Sequence, residues 1–307
     1  MPAPADLPLI ATHALPVGDG HVLQVQEFGH PRGRPALVLH GGPGSGCTPL
    51  LRRGFDADHW RVICVDQRGA GGSTPRGATA DNTTAHLLAD LRAVRAALGI
   101  DRWLVDGGSW GAALAVAHAA DEPQAVSGLL LRASFLARRE DIAWFFDGAR
   151  TLRPAAWARF AAAMPAPEAV AIARAFEHTD AVERERLAAA WWRWEQALAL
   201  GDEDATPDPA ALPALADRYR VQSHYLAHAC FLDAPSLLER CEAVPRVPTV
   251  LLHARDDAVC RPDGALALQA RLPHARLRWL DEGGHDAAHP AMQAAVASAL
   301  ADLAVAP

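Results

Sequence analysis

The sequence lacks the features that mark nucleic-acid-binding and membrane-spanning proteins. Asp and Glu number 36 against 29 Lys and Arg, and the net charge of −7 contrasts with the basic excess of a nucleic-acid-binding surface. No apolar run approaches the ~18 residues that a membrane-spanning helix requires. We therefore expect neither a nucleic-acid partner nor a membrane partner. Hydrophobic residues make up 50% of the chain, which is enough for one large buried core.

Cysteine is scarce and shows no pairing pattern. The five cysteines form no C-x-x-C pair and have no regular spacing. The N-terminal segment also lacks the basic stretch and the apolar run of a secretory signal. An odd number of cysteines without such a signal predicts free thiols in a reducing compartment, so we expect a cytoplasmic protein. The cysteines are Cys47, Cys64, Cys230, Cys241 and Cys260.

In the first half of the chain, short apolar runs alternate with helical patterns. The apolar runs are bounded by Gly, Pro or charged residues, which predicts buried strands. This alternation favours an α/β fold with a mostly parallel central sheet that helices cover on both faces. The predicted strands are 36–39, 61–65, 103–105 and 129–131, and the predicted helices are 84–98 and 112–120.

The pattern changes near Ala137. From there to about Ala243 the chain is rich in Ala, Trp, Arg and Glu, and its prolines divide it into several predicted helices. Strand patterns return at 248–253 and 276–280, and a last helix is predicted at 292–303. We therefore expect a core of residues 1–136 and 244–307, with an inserted helical cap at 137–243.

The strongest local motif is Gly107-Gly108-Ser109-Trp110-Gly111, which follows an apolar strand and precedes an Ala-rich helix. In this context a G-x-S-x-G motif forms a tight, strained turn that exposes the serine hydroxyl. The backbone N–H groups that follow lie at a helix N-terminus and can hold an oxyanion. The motif predicts a nucleophile at Ser109, against the alternative of a Gly-rich turn with an incidental serine.

The segment HGGPG at 40–44 directly follows the strand predicted at 36–39. Its glycines let the backbone approach a ligand closely, because no Cβ stands in the way. The N–H of Gly42 would complete an oxyanion hole with the N–H of Trp110. An ordinary Gly/Pro turn is the alternative, whereas a phosphate site is disfavoured because the Lys and Ser/Thr of a P-loop are missing.

A nucleophilic serine needs a base, and the base needs an acid that orients it. In the strand–turn–serine–helix class, the chain order is Ser, then Asp or Glu, then His. The loop after the strand at 248–253 carries Asp256 and Asp257, and the loop after the next strand carries His285. The residues alone predict His285 as the base and either aspartate as the acid.

The spacing of His285 and His289 also suggests a zinc site, because two histidines four apart on a helix can bind zinc. Two glycines precede His285 and Pro290 follows His289, which argues against a helix through both. We therefore expect no metal and no cofactor, and we expect His289 to be solvated or satisfied by hydrogen bonds.

Taken together, the motifs resemble those of the proline iminopeptidases, which are α/β-hydrolases with a helical cap. The similarity runs over nearly the whole chain, and the combination is far more specific than any single motif. The similar segments are HGGPGSG at 40–46, DQRGAGGSTP at 66–75, NTT at 82–84, the stretch ending in GGSWG at 111, WWRWE at 191–195, HARDDAVC at 253–260 and GGHDA at 283–287.

The resemblance implies a catalytic role for each residue of these loops. It assigns the catalytic acid to Asp257, with Ser109 as the nucleophile and His285 as the base. It also supports Gly42 and Trp110 as the oxyanion donors.

The resemblance further implies a substrate site in the cap. Glu195 matches an acid that meets the substrate's free amine, and Arg132 matches an arginine near it that holds Glu195 in place. Phe135 and Phe145 match aromatic pocket positions. Gln222 occupies a position that is normally Glu, a second amine ligand. Because charge-assisted hydrogen bonds are roughly twice as strong as neutral ones, we expect weaker amine binding than in members with Glu.

These observations predict a serine exopeptidase that releases N-terminal proline, or a similar small residue, from short peptides. An esterase or amidase with a repurposed amine site is the alternative, and Gln222 favours it. A non-enzymatic binding protein is disfavoured because no member of the predicted triad is missing. The sequence does not specify an oligomeric state.

Overall fold

A computed structural model describes residues 7–305. Eight strands form one sheet: β1 Leu9–Gly18, β2 His21–Gly29, β3 Arg34–Leu39, β4 Trp60–Val65, β5 Trp103–Gly108, β6 Val126–Arg132, β7 Thr249–Ala254 and β8 Arg276–Leu280. Their order across the sheet is β1-β2-β4-β3-β5-β6-β7-β8. Only the β1/β2 and β2/β4 pairs within this sheet are antiparallel. The predicted α/β class with a mostly parallel sheet is therefore confirmed.

Within the described residues, the α-helices lie in the connections after strands β4 to β8. They are α1 Thr84–Ala97, α2 Trp110–Asp121, α3 Arg139–Phe146, α4 Pro154–Ala163, α5 Ala169–His178, α6 Ala181–Ala199, α7 Leu212–Ala227, α8 Leu237–Arg240, α9 Pro262–Arg271 and α10 Pro290–Ala304. Short 3₁₀ helices lie in the connections, at Pro49–Arg52, Pro123–Ala125, Gly148–Thr151, Pro209–Ala211, Ala229–Phe231 and Cys241–Ala243.

Both faces of the central part of the sheet are buried, as strand β3 illustrates. Its side chains alternate between two apolar clusters: Leu37 and Leu39 pack on the face of α1 and α2, whereas Ala36 and Val38 pack on the face of α10. A strand that is buried on both faces has a continuous apolar run in its sequence, which is why this strand could be predicted. The parallel strands place their C-terminal ends, and the loops that follow them, along one edge of the sheet.

The segment between β6 and β7 consists of helices, and prolines set several of their bounds. Pro154 starts α4 and Pro213 lies in the first turn of α7, where a missing N–H costs no hydrogen bond. Trp191 and Trp194, on α6, are almost fully buried. The tryptophans of the WWRWE motif therefore form part of the apolar interior of this helical segment.

Two parts of the fold were not predicted from the sequence. The β1–β2 hairpin is one of them, although β2 alternates buried Leu23 and Val25 with partly exposed Gln24 and Gln26, which is a strand pattern. Helix α9 is the other; its only strong signal is Pro262 at the first helical position. Within residues 7–305, no helix is long and apolar enough to cross a membrane.

Candidate active site

Ser109 lies in the turn between β5 and α2 with φ 55° and ψ −122°. A non-glycine residue rarely adopts this conformation, and it persists only where its surroundings fix it. A Cβ on Gly107 would lie 2.2 Å from the carbonyl oxygen of Gly111, and a Cβ on Gly111 would lie 2.2 Å from that of Leu39. Only glycine is compatible with these two contacts, so the flanking glycines make the tight turn possible.

The glycine-rich loop after β3 lies directly against this turn. A Cβ placed on Gly41 would be 4.0 Å from Oγ of Ser109. Among the described residues, the backbone N–H groups of Gly42 and Trp110 donate to no other group. Trp110 is also the first residue of α2, where backbone N–H groups have no partner within the helix. Both groups therefore remain available as donors.

The buried carboxylate of Asp257 forms a hydrogen bond with the partly exposed ring of His285. Nδ1 of His285 lies 2.8 Å from Oδ2 of Asp257. The other oxygen, Oδ1, accepts from the backbone N–H of Val259 at 2.9 Å and of Cys260 at 2.8 Å. This arrangement fixes the carboxylate and places the proton of the neutral ring on Nδ1, so Nε2 can accept a proton.

Two opposing effects act on the His285 ring. Burial is the largest single effect and lowers its pKa, but the charge and hydrogen bond of Asp257, together with the neighbouring Cys260, outweigh it, and the pKa lies well above 6.5. The neighbouring Cys260 thiol is itself buried, which raises its pKa and keeps it neutral near pH 7. Asp257 therefore stabilises the protonated form that a general base must adopt during a reaction.

Asp256, the other candidate acid, does not contact the His285 ring. Its carboxylate accepts from the backbone N–H of Gly283 at 3.3 Å and of Gly284 at 2.8 Å. It therefore anchors the loop that carries His285. No sequence pattern indicates this contact, apart from the expected nearness of two loops that both follow strands.

One cavity of about 460 Å³ brings most of the predicted residues together. Its size is typical of a small-molecule site. Trp110 and Asp257 do not line it and lie behind Ser109 and His285. In the described residues, no hydrogen bond joins Oγ of Ser109 to His285, and such bonds are often long until a substrate binds. The predicted residues in the wall are Gly42, Ser109, Arg132, Phe135, Phe145, Glu195, Gln222 and His285.

The wall contributed by α6 and α7 contains a polar cluster around Glu195. Oε2 of Glu195 accepts from Nη2 of Arg218 at 2.8 Å and from the hydroxyl of Tyr219 at 2.8 Å. Oε1 accepts from Nε2 of Gln222 at 3.0 Å. We call these four residues the Glu195 cluster. Arg218 and Tyr219 were not predicted, although Arg218 is four residues before Gln222 and so shares its helix face.

Arg132 does not hold Glu195, so that expectation is wrong. Its guanidinium forms two hydrogen bonds to Asp106, at 2.8 and 3.2 Å, and both side chains are almost fully buried. A buried carboxylate requires a partner, and Arg132 on the neighbouring strand supplies it. Burial raises the pKa of Asp106 even beside this cation. Arg218, and not Arg132, forms the ion pair with Glu195.

The aromatic residues divide between the cavity and the helical interior. Phe135 and Phe145 line the cavity. Trp194 instead donates from Nε1 to the carbonyl of Phe145 at 3.0 Å, and Trp191 stacks on Tyr219 with ring centroids 5.0 Å apart. The two tryptophans therefore support the wall from behind and do not face a ligand.

His289 acts at a helix end. It is the N-cap of α10, and its Nδ1 accepts from the backbone N–H of Ala291 at 3.3 Å. Across residues 7–305, no cluster of three or more His, Cys, Asp or Glu side chains is arranged to hold a metal ion.

Comparison with known proteins first identifies the structural class of the chain. The family model described as "alpha/beta hydrolase fold" matches residues 35–290. A proline iminopeptidase of Xanthomonas citri is 41% identical over 286 residues, which cover 90% of this chain and 91% of that protein. A proline iminopeptidase of Xylella fastidiosa strain 9a5c is 40% identical over 285 residues, which cover 89% and 90%. The chain belongs to the proline iminopeptidase family of α/β-hydrolases.

A solved structure agrees with this assignment at the level of the fold. The crystal structure of a proline iminopeptidase from Mycobacterium smegmatis superposes with a TM-score of 0.65 at 22% identity. The match covers 96% of this chain and 99% of that chain. The predicted α/β-hydrolase fold and the predicted family resemblance are both confirmed.

Proposed function

We propose that this chain is a serine aminopeptidase that releases N-terminal proline, or a similar small residue, from short peptides. The observation that carries the proposal is the shared cavity: Ser109 and His285 lie in one wall, and Glu195 lies in another. The activity named for the relatives in Xanthomonas citri and Xylella fastidiosa supports the same substrate class.

The proposed chemistry proceeds through an acyl-enzyme and needs no cofactor. Oγ of Ser109 attacks the scissile carbonyl while Nε2 of His285 takes its proton, and Asp257 stabilises the imidazolium. The N–H groups of Gly42 and Trp110 hold the negative oxygen of the tetrahedral intermediate. The C–N bond then breaks, and His285 protonates the leaving amine. A water molecule, deprotonated by His285, hydrolyses the ester and regenerates Ser109.

The cavity wall supports a small N-terminal residue as the acyl part of the substrate. Phe135 and Phe145 provide apolar surface for a pyrrolidine ring. The Glu195 cluster provides polar atoms for the ring nitrogen. A cavity of about 460 Å³ limits the substrate to short peptides or small amides.

We also propose that residues 137–243 act as a cap on a core formed by residues 1–136 and 244–307. Helices α3 to α8 lie in this segment, and Phe145, Glu195 and Gln222 reach the cavity from it. Under this proposal the core supplies the reacting groups and the cap supplies substrate selection.

An esterase or amidase is the second candidate, and one contact favours it. Glu195 is paired with Arg218, so its charge is not free for a substrate amine. An enzyme that does not depend on a free amine would be compatible with this pairing.

The test compares wild type and Ser109→Ala on proline β-naphthylamide, alanine β-naphthylamide, N-acetylproline β-naphthylamide and p-nitrophenyl acetate. We expect turnover that prefers proline, requires the free ring N–H, and falls at least ~10³-fold in Ser109→Ala. Turnover of the ester without turnover of the amides would favour the second candidate. Unchanged activity in Ser109→Ala would contradict both.

We further propose that the protein acts in the cytoplasm. All five cysteines are free thiols, and four of them are buried. Unpaired thiols are typical of a reducing compartment. Fractionation of the native host followed by antibody detection tests this proposal, and recovery from the extracellular fraction would contradict it.

A further inference from the structure

The carboxylate of Glu195 has all of its nearest donors supplied by one helix. Arg218, Tyr219 and Gln222, on α7, occupy both of its oxygens. A substrate amine that entered the cavity would meet a carboxylate that is already hydrogen-bonded. Three donors leave about one acceptor position of the carboxylate unused, on Oε1, so it can take little more than one further hydrogen bond unless a donor is displaced.

Gln222 offers a second acceptor beside Glu195. A carboxylate can only accept hydrogen bonds when ionised, so the amide group of Gln222 must turn its NH₂ towards Glu195. This orientation leaves Oε1 of Gln222 buried, and Oε1 has no hydrogen-bond partner within residues 7–305. The side chain is nine-tenths buried and lines the cavity. An N–H group from a ligand would satisfy this oxygen.

The charge of the cluster also differs from that of a free carboxylate. Arg218 lies 2.8 Å from Glu195, and the two opposite charges cancel at the distance of a ligand. Burial lowers the pKa of Arg218, but Glu195 and Tyr219 together raise it by more, so the guanidinium stays charged. The other acidic side chains of the wall are Asp141, which pairs with Arg138, and Asp286, in the His285 loop.

We propose that Arg218 is a specificity-determining residue: because it neutralises Glu195, the cluster holds the N-terminal nitrogen as a hydrogen-bond donor to Oε1 of Gln222 and not as a cation. This inference rests on the proposed aminopeptidase function. It identifies Arg218 as the residue that decides how strongly the site prefers a positively charged amine over a neutral group of the same shape.

The test uses Arg218→Met, Arg218→Lys and a matched control, Arg193→Met. Arg193 lies on an exposed position of α6, two residues before Glu195. Each full-length variant is assayed for KM and kcat with proline β-naphthylamide. Each is also assayed for competitive inhibition by L-prolinamide, which is cationic, and by cyclopentanecarboxamide, which has a similar ring and no charge.

In Arg218→Met, we expect KM for the proline substrate and the inhibition constant of prolinamide to fall about tenfold or more, because the negative charge of Glu195 is no longer offset by a guanidinium. The inhibition constant of cyclopentanecarboxamide should stay within about threefold, and kcat should change little, as for a group that acts on binding alone. Arg218→Lys should resemble wild type, because it keeps the charge. Arg193→Met should also resemble wild type.

Wild type alone provides a second measurement that needs no variant. We expect prolinamide and cyclopentanecarboxamide to inhibit it with constants within about tenfold of each other. A preference of wild type for prolinamide above about a hundredfold would overturn the inference. Equal constants for both inhibitors in wild type and Arg218→Met, with normal turnover, would overturn it too. Absence of proline turnover in wild type would instead refute the proposed function.

Discussion

The carboxylate of Asp256 accepts a 2.8 Å hydrogen bond from the backbone N–H of Gly284, the residue directly before His285. Two neighbouring aspartates therefore act on one histidine in different ways. Asp257 contacts the ring, and Asp256 contacts the backbone that carries it. The position of the proposed base depends on both carboxylates.

Replacing Asp256 with Ala should reduce catalysis without weakening substrate binding. The loop loses two hydrogen bonds, and small displacements of a reacting group are costly. We expect kcat for proline β-naphthylamide to fall about ten- to a hundredfold while KM stays within about threefold. Asp281→Ala is the control, because its side chain is 97% exposed. Wild-type kcat in Asp256→Ala would refute the positioning role.

Replacing Asp257 with Asn should be far more damaging. The N–H groups of Val259 and Cys260 require an acceptor, so the amide oxygen would face them and the NH₂ would face His285. The ring would then hold its proton on the wrong nitrogen. We expect kcat to fall roughly 10³- to 10⁴-fold with an unchanged melting temperature and KM. A loss below about tenfold would contradict the assignment of Asp257 as the acid.

The pH dependence should report the raised pKa of His285. The ring acts as a base only when it is neutral, so activity is lost as the pH falls through its pKa in the free enzyme. Asp257 raises that pKa, so the acid limb of kcat/KM should lie above pH 6.5. The measurement uses p-nitrophenyl acetate, which has no titrating amine. An acid limb at or below pH 6.5 would contradict a raised pKa of His285 and would show that burial outweighs the effect of Asp257.

The buried pair of Arg132 and Asp106 should contribute to stability more than to substrate selection. Arg132→Met leaves a buried carboxylate without its partner, and we expect a loss of about 3–5 kcal/mol in the free energy of unfolding in urea. The double variant Asp106→Leu, Arg132→Met should recover much of this loss. Arg92→Met, which breaks the exposed pair with Asp121, should cost less than about 1 kcal/mol. Equal losses of unfolding free energy in Arg132→Met and Arg92→Met would contradict a stabilising role for the buried pair.

Local sequence was sufficient to predict the loops of the site. The turn at Ser109 depends on the glycines at 107 and 111, which are neighbours in the chain. The strands that carry these loops were predictable because burial on both faces leaves continuous apolar runs. The family resemblance then separated Asp257 from Asp256, which the residues alone could not do.

The partners of the charged residues could not be predicted in the same way. Arg132 and Asp106 meet because β6 lies beside β5, and Arg218 meets Glu195 because α7 packs on α6. Such pairs depend on how distant elements pack, which no local pattern specifies. Arg132 was therefore assigned to the wrong carboxylate, and Arg218 was overlooked.

Helix α7 has a consequence for how this protein can diversify. It supplies all three donors to Glu195, and the loops proposed to carry the chemistry lie elsewhere in the chain. Mutations on one face of a single helix can thus change which substrate is accepted and leave the reaction machinery intact. Substitutions that change substrate choice can therefore accumulate in this chain independently of substitutions that change bond cleavage.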